Sequence, residues 1–295
     1  MHVDPGFILQ IVAAGLAQGC LYALAALGLV VIYNASHVVN FAQGAMGMAA
    51  TYVAWLLLTG AGVPYPLAFV GALVVAFGLG IAVQAVLLRR LLEASPMTQL
   101  VVTLGLLMSI EGVLGLAFGY NPRPMPQLLG FSPLVLGNVV LRPQDMLALG
   151  LLLALGAALA LLFNRTKIGM AMRAITQNPF AARLMGIPVA SVLSLAWGIG
   201  VTLGAVAALL AAPVTSVTPN MMDTIVVYAF VAAILGGFGS LVGAVIGGLV
   251  LGIINNFIDA FLAPELGLTI VFGLLLVVLY VRPDGLFGRK NLQKV

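Results

Sequence analysis

Between residues 33 and 44 the chain reads Tyr-Asn-Ala-Ser-His-Val-Val-Asn-Phe-Ala-Gln-Gly, so Asn34, Ser36, His37, Asn40 and Gln43 interrupt strongly apolar sequence. Asn and Gln each carry donors and acceptors, so they can satisfy backbone groups that lipid cannot. The run reads either as a break within a membrane span, held against protein or a water-lined cavity, or as an ordinary cytoplasmic turn. His37 fits an interfacial turn residue better than a proton carrier. Ionisable residues inside the other apolar runs are few: Glu111 and Asp259. A charge in lipid costs several kcal/mol, so it faces the bundle interior or takes a proton. Glu111 could serve a proton relay, but no basic partner is evident, and a protonated or hydrogen-bonded core role is preferred. Asn255 and Asn256 read as interhelical hydrogen-bond donors.

Sets of residues for bond-breaking chemistry are missing. The sequence has no G-x-x-x-x-G-K-[ST] loop for ATP, no H-E-x-x-H and no G-x-S-x-G. Its two histidines, His2 and His37, cannot hold a metal alone, and the lone Cys20 cannot form an internal disulfide. No catalytic residue, metal site or cofactor is therefore expected, and the chain itself is not expected to be an enzyme.

The elements that must position these residues follow from composition. Of 295 residues, 63% are hydrophobic and 7% charged, against roughly 25% charged in a soluble domain. That is too little charge to coat a soluble surface, so lipid is the expected solvent. Apolar runs bounded by polar or Pro/Gly turns lie at 6–33, 41–58, 65–88, 99–119, 145–163, 189–212, 224–236, 241–262 and 266–281. The first is long enough to be tilted or broken near Gly19. The seventh is short, and 236–240 is either a tight turn or a break in one longer region. Eight or nine spans in one all-α transmembrane domain, 1–295, are expected. Residues 1–6 contain no Lys or Arg, so they lack the positive segment of a secretory signal, and the first run reads as a retained span.

Basic residues give the orientation. Arg89 and Arg90, then Arg165, Lys167, Arg173 and Arg183, then Arg282, Arg289, Lys290 and Lys294 fall at one side of a nine-span chain, which the positive-inside rule makes cytoplasmic. Arg123 and Arg142 fall in the external loop 120–144, an acceptable exception. The net charge of +4 does not point to nucleic acid, because these residues sit in short loops. The external loop carries Pro122, Pro124, Pro126, Pro133 and Pro143, which favour an irregular connection; it reads equally as a linker or as a docking surface.

The cytoplasmic connection has more regularity. Ala174, Asn178, Ala182 and Gly186 recur at every fourth residue, one stripe of a helix. Pro179 suits the first turn of a helix capped by Asn178, and Gly186 can end it before Pro188. A short docking helix across the cytoplasmic face is expected. Glycines four apart, Gly239/Gly243/Gly247 with Gly248/Gly252, Gly15/Gly19, Gly115/Gly119 and Gly200/Gly204, permit close helix crossings and say little about substrate.

Over nearly its whole length the sequence resembles the permease subunits of bacterial ABC importers for branched-chain amino acids, the LivH type. The resemblance rests on YALAALGLVVIY and VVNFAQGAMGMAATYVA near the start, and on Arg173-Ala174, Asn178, Ala182 and Gly186-Ile187 in the middle. Toward the end it rests on VAAILGGFGSLVGAVIGG and Arg282-Pro283-Asp284-Gly285-Leu286-Phe287-Gly288. Asn178 stands where many relatives carry Asp, and Phe180 where the broader importer loop often begins with an acidic residue.

The resemblance implies an ABC importer permease fold in the bacterial inner membrane. It also implies a second, homologous permease, two cytoplasmic ATPase subunits and an external solute-binding protein as partners. Segment 164–188 would couple to the ATPase through Arg173, Ala174, Asn178, Ala182 and Gly186. Gln18, Tyr22, Asn34, Asn40 and Gln43 would line half of an alternating-access pathway for Leu, Ile or Val. A sugar, urea or amide permease of the same superfamily, a proton-coupled secondary transporter, and a non-transporting scaffold are the alternatives.

Overall fold

The computed structural model describes residues 5–91, 94–127, 132–136, 139–282 and 285–287. Lipid leaves each backbone group to be satisfied within the protein, and helices do this locally. The described residues form α1 (Pro5–Ser36), α2 (Gln43–Thr59), α3 (Tyr65–Val86), α4 (Pro96–Phe118), α5 (Pro143–Arg165), α6 (Lys167–Gln177) and α7 (Pro179–Leu184). They continue with α8 (Val189–Thr215), α9 (Asp223–Gly236), α10 (Leu241–Phe261) and α11 (Gly267–Val281). Proline in the first turn marks the starts of α3, α4, α5 and α7, where its missing N–H costs nothing. Ser95 and Ser240 cap α4 and α10 by accepting from the N–H groups of Thr98 and Gly243.

All nine apolar runs become helices. Among the described residues, seven helical stretches are long and apolar enough to cross a membrane. At 17 and 14 residues, α2 and α9 fall short, so the expected eight or nine full spans is not met by length. The first run is one continuous helix with no break at Gly19. Gly236–Ser240 is a tight turn, closed by the Ser240 N–H donating to Gly237 O at 2.8 Å. In the external loop the expected irregular chain contains a short antiparallel hairpin, β1 (Leu134–Leu136) and β2 (Val139–Leu141). Between Pro133 and Pro143 the chain is free of proline, so its N–H groups can pair there.

The chain is built from two similar halves. A series of three helices, a 3₁₀ turn and a fourth helix occurs as α1, α2, α3, Leu88–Leu91, α4, and again as α8, α9, α10, Pro264–Leu266, α11. Packing follows the same exchange: α1 lies on α10 as α8 lies on α3, and α2 meets α8 as α9 meets α1. The second series starts from the opposite end of the molecule. Contacts Gln10–Val140, Arg123–Val217 and Gln144–Leu210 gather one end, whereas His37–Thr176, Asn34–Gly239 and Leu286–Leu235 gather the other. The latter end carries Arg89, Arg90 and Arg183, and is the inner one by the positive-inside rule. Inverted repeats of this kind place broken helices and their sites near the bilayer midplane.

The paired central helices α1 and α8 are mostly buried, while α3, α4, α5 and α11 are largely exposed on the outside of the bundle. Glycine makes the central crossings possible. A Cβ on Gly19 would lie 2.8 Å from Leu249 Cα and 2.9 Å from Gly248 O, both backbone atoms of α10. Gly19→Val is therefore expected to separate α1 from α10 and to destabilise the protein by about 3 kcal/mol. Thermal melting of the purified protein in detergent checks this, with Gly78→Ala, whose added Cβ meets nothing within 4 Å, leaving the Tm unchanged. An unchanged Tm for Gly19→Val would refute the tight crossing.

Candidate functional site

The polar run after α1 forms a break deep inside the bundle. His37 takes φ 55° and ends α1, while Ser36 Oγ donates to Ile32 O and accepts from the Val38 N–H. Residues 37–42 then return toward the membrane interior. Asn40 Oδ1 accepts from the Ala42 N–H at 3.1 Å, and its Nδ2 donates to Gln43 Oε1 at 3.1 Å. Gln43 Nε2 donates in turn to Gly200 O, inside α8, at 2.7 Å. Gly200 lies eleven residues into α8, about 17 Å from its inner end, so α2 begins near mid-depth.

Gln43 fits only because its neighbours lack side chains. A Cβ on Gly204 would stand 2.6 Å from Gln43 Nε2, and one on Gly28 would stand 2.5 Å from Gly200 O. Asn40 and Gln43, at 1% and 0% exposure, thus spend their polar groups within the protein and hold the break in place.

The second half has its own break. Ser216 takes φ 66°; with His37 it is one of two non-glycine residues of positive φ among the described residues. Val217 is tied to Arg123 by reciprocal backbone hydrogen bonds, and the Arg123 guanidinium lies 4.6 Å from the centre of the Trp55 ring. The chain then re-enters to start α9. The N-termini of α2 and α9 meet: a Cβ on Gly44 would lie 3.0 Å from Met222 Cβ, and Phe41 stacks on Phe230 with centroids 4.9 Å apart. No side chain caps either helix, so the positive ends of two dipoles converge inside the bundle. Asp223, in the first turn of α9, lies near Glu111 on α4.

Gln18 and Tyr22 belong to a different, outer network. Gln18 Nε2 donates to Tyr22 Oη at 2.6 Å, and Asn256 Nδ2 donates to Gln18 Oε1 at 2.6 Å. Tyr22 stacks on Tyr228, whose hydroxyl donates to Asn255 Oδ1 at 2.6 Å; Asn255 Nδ2 donates to Asp259 at 3.1 Å. Asn255 and Asn256 are interhelical hydrogen-bonding residues, as expected. Tyr228, which joins α9 to this network, carried no sequence signal because a lone Tyr in an apolar run looks like any core aromatic.

Asn34 is placed at neither site. It sits at the inner end of α1, where its Nδ2 donates to Gly239 O at 3.3 Å and its carbonyl accepts from Thr176 Oγ1. His37 Nε2 contacts Thr176 O at 3.3 Å. Thr176 belongs to the cytoplasmic connection, so this connection is bonded directly to α1 and, through Asn34, to the α9–α10 turn.

Within that connection the cap assignments hold. Asn178 Oδ1 accepts from the Ala181 N–H at 3.0 Å, Pro179 opens α7, and Gly186 at φ 80° lies just past its end. The single stripe of small residues does not hold. Asn178 takes an extended conformation and divides the segment into α6 and α7, so Ala174 and Ala182 lie on different helices. Ala182 is buried and Ala174 half-buried, while Arg173, Asn178 and Gly186 are exposed. The outward surface is instead apolar: Phe180, Leu184 and Met185 are 68%, 74% and 83% exposed.

The tail also has a structural role. Leu286 and Phe287 N–H groups donate to Leu235 O and Gly236 O at 2.8 and 3.2 Å, satisfying carbonyls at the end of α9. Gly285, at φ 79°, has no room for a Cβ beside Gly237 N and Ile234 O. Pro283, Asp284, Gly288, Arg289, Lys290 and Lys294, like His2, lie outside the described residues.

Membrane-length helices in inverted halves, two breaks meeting at depth and a helical segment at the inner face define a multi-pass membrane permease. The chain belongs to the family of permease components of branched-chain amino acid transport systems, whose family model matches residues 11–279. It is 30% identical to the high-affinity branched-chain amino acid transport system permease protein BraD of Pseudomonas aeruginosa, covering 97% of this chain and 98% of that one. The LivH protein of Escherichia coli K12, of the same description, is 31% identical over 98% of both chains. A probable LivH of Methanocaldococcus jannaschii is 29% identical over 91% of this chain and 89% of the other. No solved structure matches.

Proposed function

We propose that this chain is the membrane-spanning subunit of an ATP-driven importer in the bacterial inner membrane, moving leucine, isoleucine, valine or related small amino acids. The observation that carries the reading is the inner-face segment: Phe180 and Leu184 of α7, with Met185 just after it, are exposed at the inner end, and Thr176 bonds the same segment to α1. Apolar side chains grouped at an aqueous surface mark a protein contact. Two ATPase subunits are the partners this surface serves, with Arg173, Ala174, Asn178, Ala182 and Gly186 as the frame that positions it. A second permease completes the pathway, and an external binding protein delivers the solute.

In this mechanism, closure of the ATPase dimer moves α7 and α6, and Thr176 carries the motion to Asn34, His37 and the break at 37–42. Asn40 and Gln43 keep the start of α2 at mid-depth, where its N–H groups and those of α9 suit the solute's carboxylate. Glu111 and Asp223 suit its ammonium group. Gln18 and Tyr22 form the outer part of the route. No step requires a cofactor or metal.

A proton-coupled secondary transporter is the second reading, favoured by the paired Glu111 and Asp223 carboxyl groups. One experiment separates the two. The chain is reconstituted in vesicles with its partner subunits, and labelled leucine uptake is measured with ATP, with a proton gradient alone, and against excess urea or sugar. Uptake that requires ATP and resists urea and sugar is expected. Uphill uptake by this chain alone on a proton gradient would sink the importer reading, and competition by urea or sugar would sink the solute assignment.

A further inference from the structure

At the inner end of the molecule a cavity of about 710 Å³ opens between the end of α3 and the turn from α7 into α8. Arg89 and Arg90 line it from the 3₁₀ turn after α3, Arg183 from the last turn of α7, and Gly186, Pro188 and Ala190 from the turn into α8. Among the described residues no carboxylate lines this cavity. The one ion pair among them, Arg142 with Asp145, lies at the outer end. Among the described residues, three arginines thus line one hollow with no carboxylate in its lining. The start of α8 lies in the same hollow with no side-chain cap, which adds the positive end of a 27-residue helix.

What lies beside the cavity points to the ligand. Of the surrounding elements, α3 carries exposed apolar side chains, Leu67, Val70, Val74 and Val86, up to its inner end, three residues before Arg89. A ligand that follows this surface presents an acyl chain to α3 and an anionic head to the arginines. Arginine offers a planar fork of donors that matches phosphate oxygens two at a time. We infer that this cavity is a binding site for the phosphate-bearing headgroup of an anionic phospholipid of the inner leaflet. The inference needs only the membrane orientation and is independent of the solute transported. Because Arg183 belongs to α7, a bound lipid would also hold the inner-face segment against α3, making its position sensitive to lipid composition.

The test uses the full-length protein in its assembled form. It is purified in mild detergent and titrated with phosphatidylglycerol, cardiolipin or phosphatidylethanolamine, with retained lipid counted by native mass spectrometry. Wild type is expected to retain phosphatidylglycerol and cardiolipin in preference to phosphatidylethanolamine. The triple variant Arg89→Ala, Arg90→Ala, Arg183→Ala is expected to lose this preference, with affinity falling roughly 100-fold. The corresponding triple lysine variant should retain part of it, which separates loss of charge from loss of fold.

Millimolar inorganic phosphate should not displace the lipid; displacement would make this a site for the free anion and overturn the lipid assignment. Equal retention by the wild type and the alanine variant would overturn the site. So would an alanine variant that keeps its lipid but releases the ATPase subunits, since the arginines would then be a protein contact.

Discussion

A Phe180→Asp, Leu184→Asp double variant should reach the membrane at normal levels, elute normally in detergent, and fail to co-purify with ATPase subunits. Both side chains are largely exposed on α7, so the aspartates replace no buried contact and the fold should tolerate them. The interface should not. Buried apolar anchors at the centre of a protein contact are worth about 2–4 kcal/mol each. Two of them, replaced by charges that must be desolvated, weaken association by at least roughly a thousandfold. Pull-down of the ATPase and ATP-driven uptake by the same preparation make the check. If both are normal in the double variant, α7 is not where energy enters. An Ala182 variant would be a poor substitute for this experiment, because Ala182 is buried and its replacement disturbs how α7 lies on the bundle.

Gln43→Leu is the second large effect, and it acts on the fold of the site. The substitution removes the donor to Gly200 O and the acceptor for Asn40 Nδ2. Asn40 would keep a buried N–H without a strong acceptor, costing about 1–3 kcal/mol. The branched Leu carbons would also press into the notch formed by Gly28 and Gly204, where the Gln43 side chain already leaves no space for a methyl group. Together these should destabilise the protein by about 3–5 kcal/mol and abolish uptake. Gln43→Met, unbranched and without the amide, isolates the polar loss and should cost about 2 kcal/mol. The expected order of Tm is wild type, then Met, then Leu. A Met variant indistinguishable from wild type in Tm and uptake would show that the amide does not hold the start of α2.

These two experiments address residues that differed in how far the sequence disclosed them. Asn178, Pro179 and Gly186 could be read as the cap, first turn and end of a short helix because capping is chemistry between near neighbours. What that helix shows to the cytoplasm could not be read the same way. The fourfold spacing of Ala174, Asn178, Ala182 and Gly186 assumed one continuous helix, whereas the extended Asn178 starts a second one in a new direction. Asn34 stands in the same polar run as Asn40, and the sequence does not separate the two. Its separation from Asn40 depends on where α1 ends, and a contact with Thr176, 142 residues away, settles that.

The two breaks of the inverted repeat are alike in geometry and unlike in residues. The break of the first half is built from Asn40 and Gln43, that of the second from the bridge between Val217 and Arg123. Different residues solve the same backbone problem, so the two breaks carry no shared motif.

Composition alone made this a membrane protein, because 63% hydrophobic residues have no other solvent, and its apolar runs located every helix that a bilayer would require. Local chemistry placed the caps and the proline-led starts. Only the tertiary structure decided that two of the helices begin part-way through the bundle, which side of α7 is presented, and that Gln43 is wedged between α1 and α8. The physical reason is that a helix closes its own hydrogen bonds. Its existence is therefore a local matter, while its depth and facing are fixed by glycine notches and side-chain bonds between residues far apart in the chain.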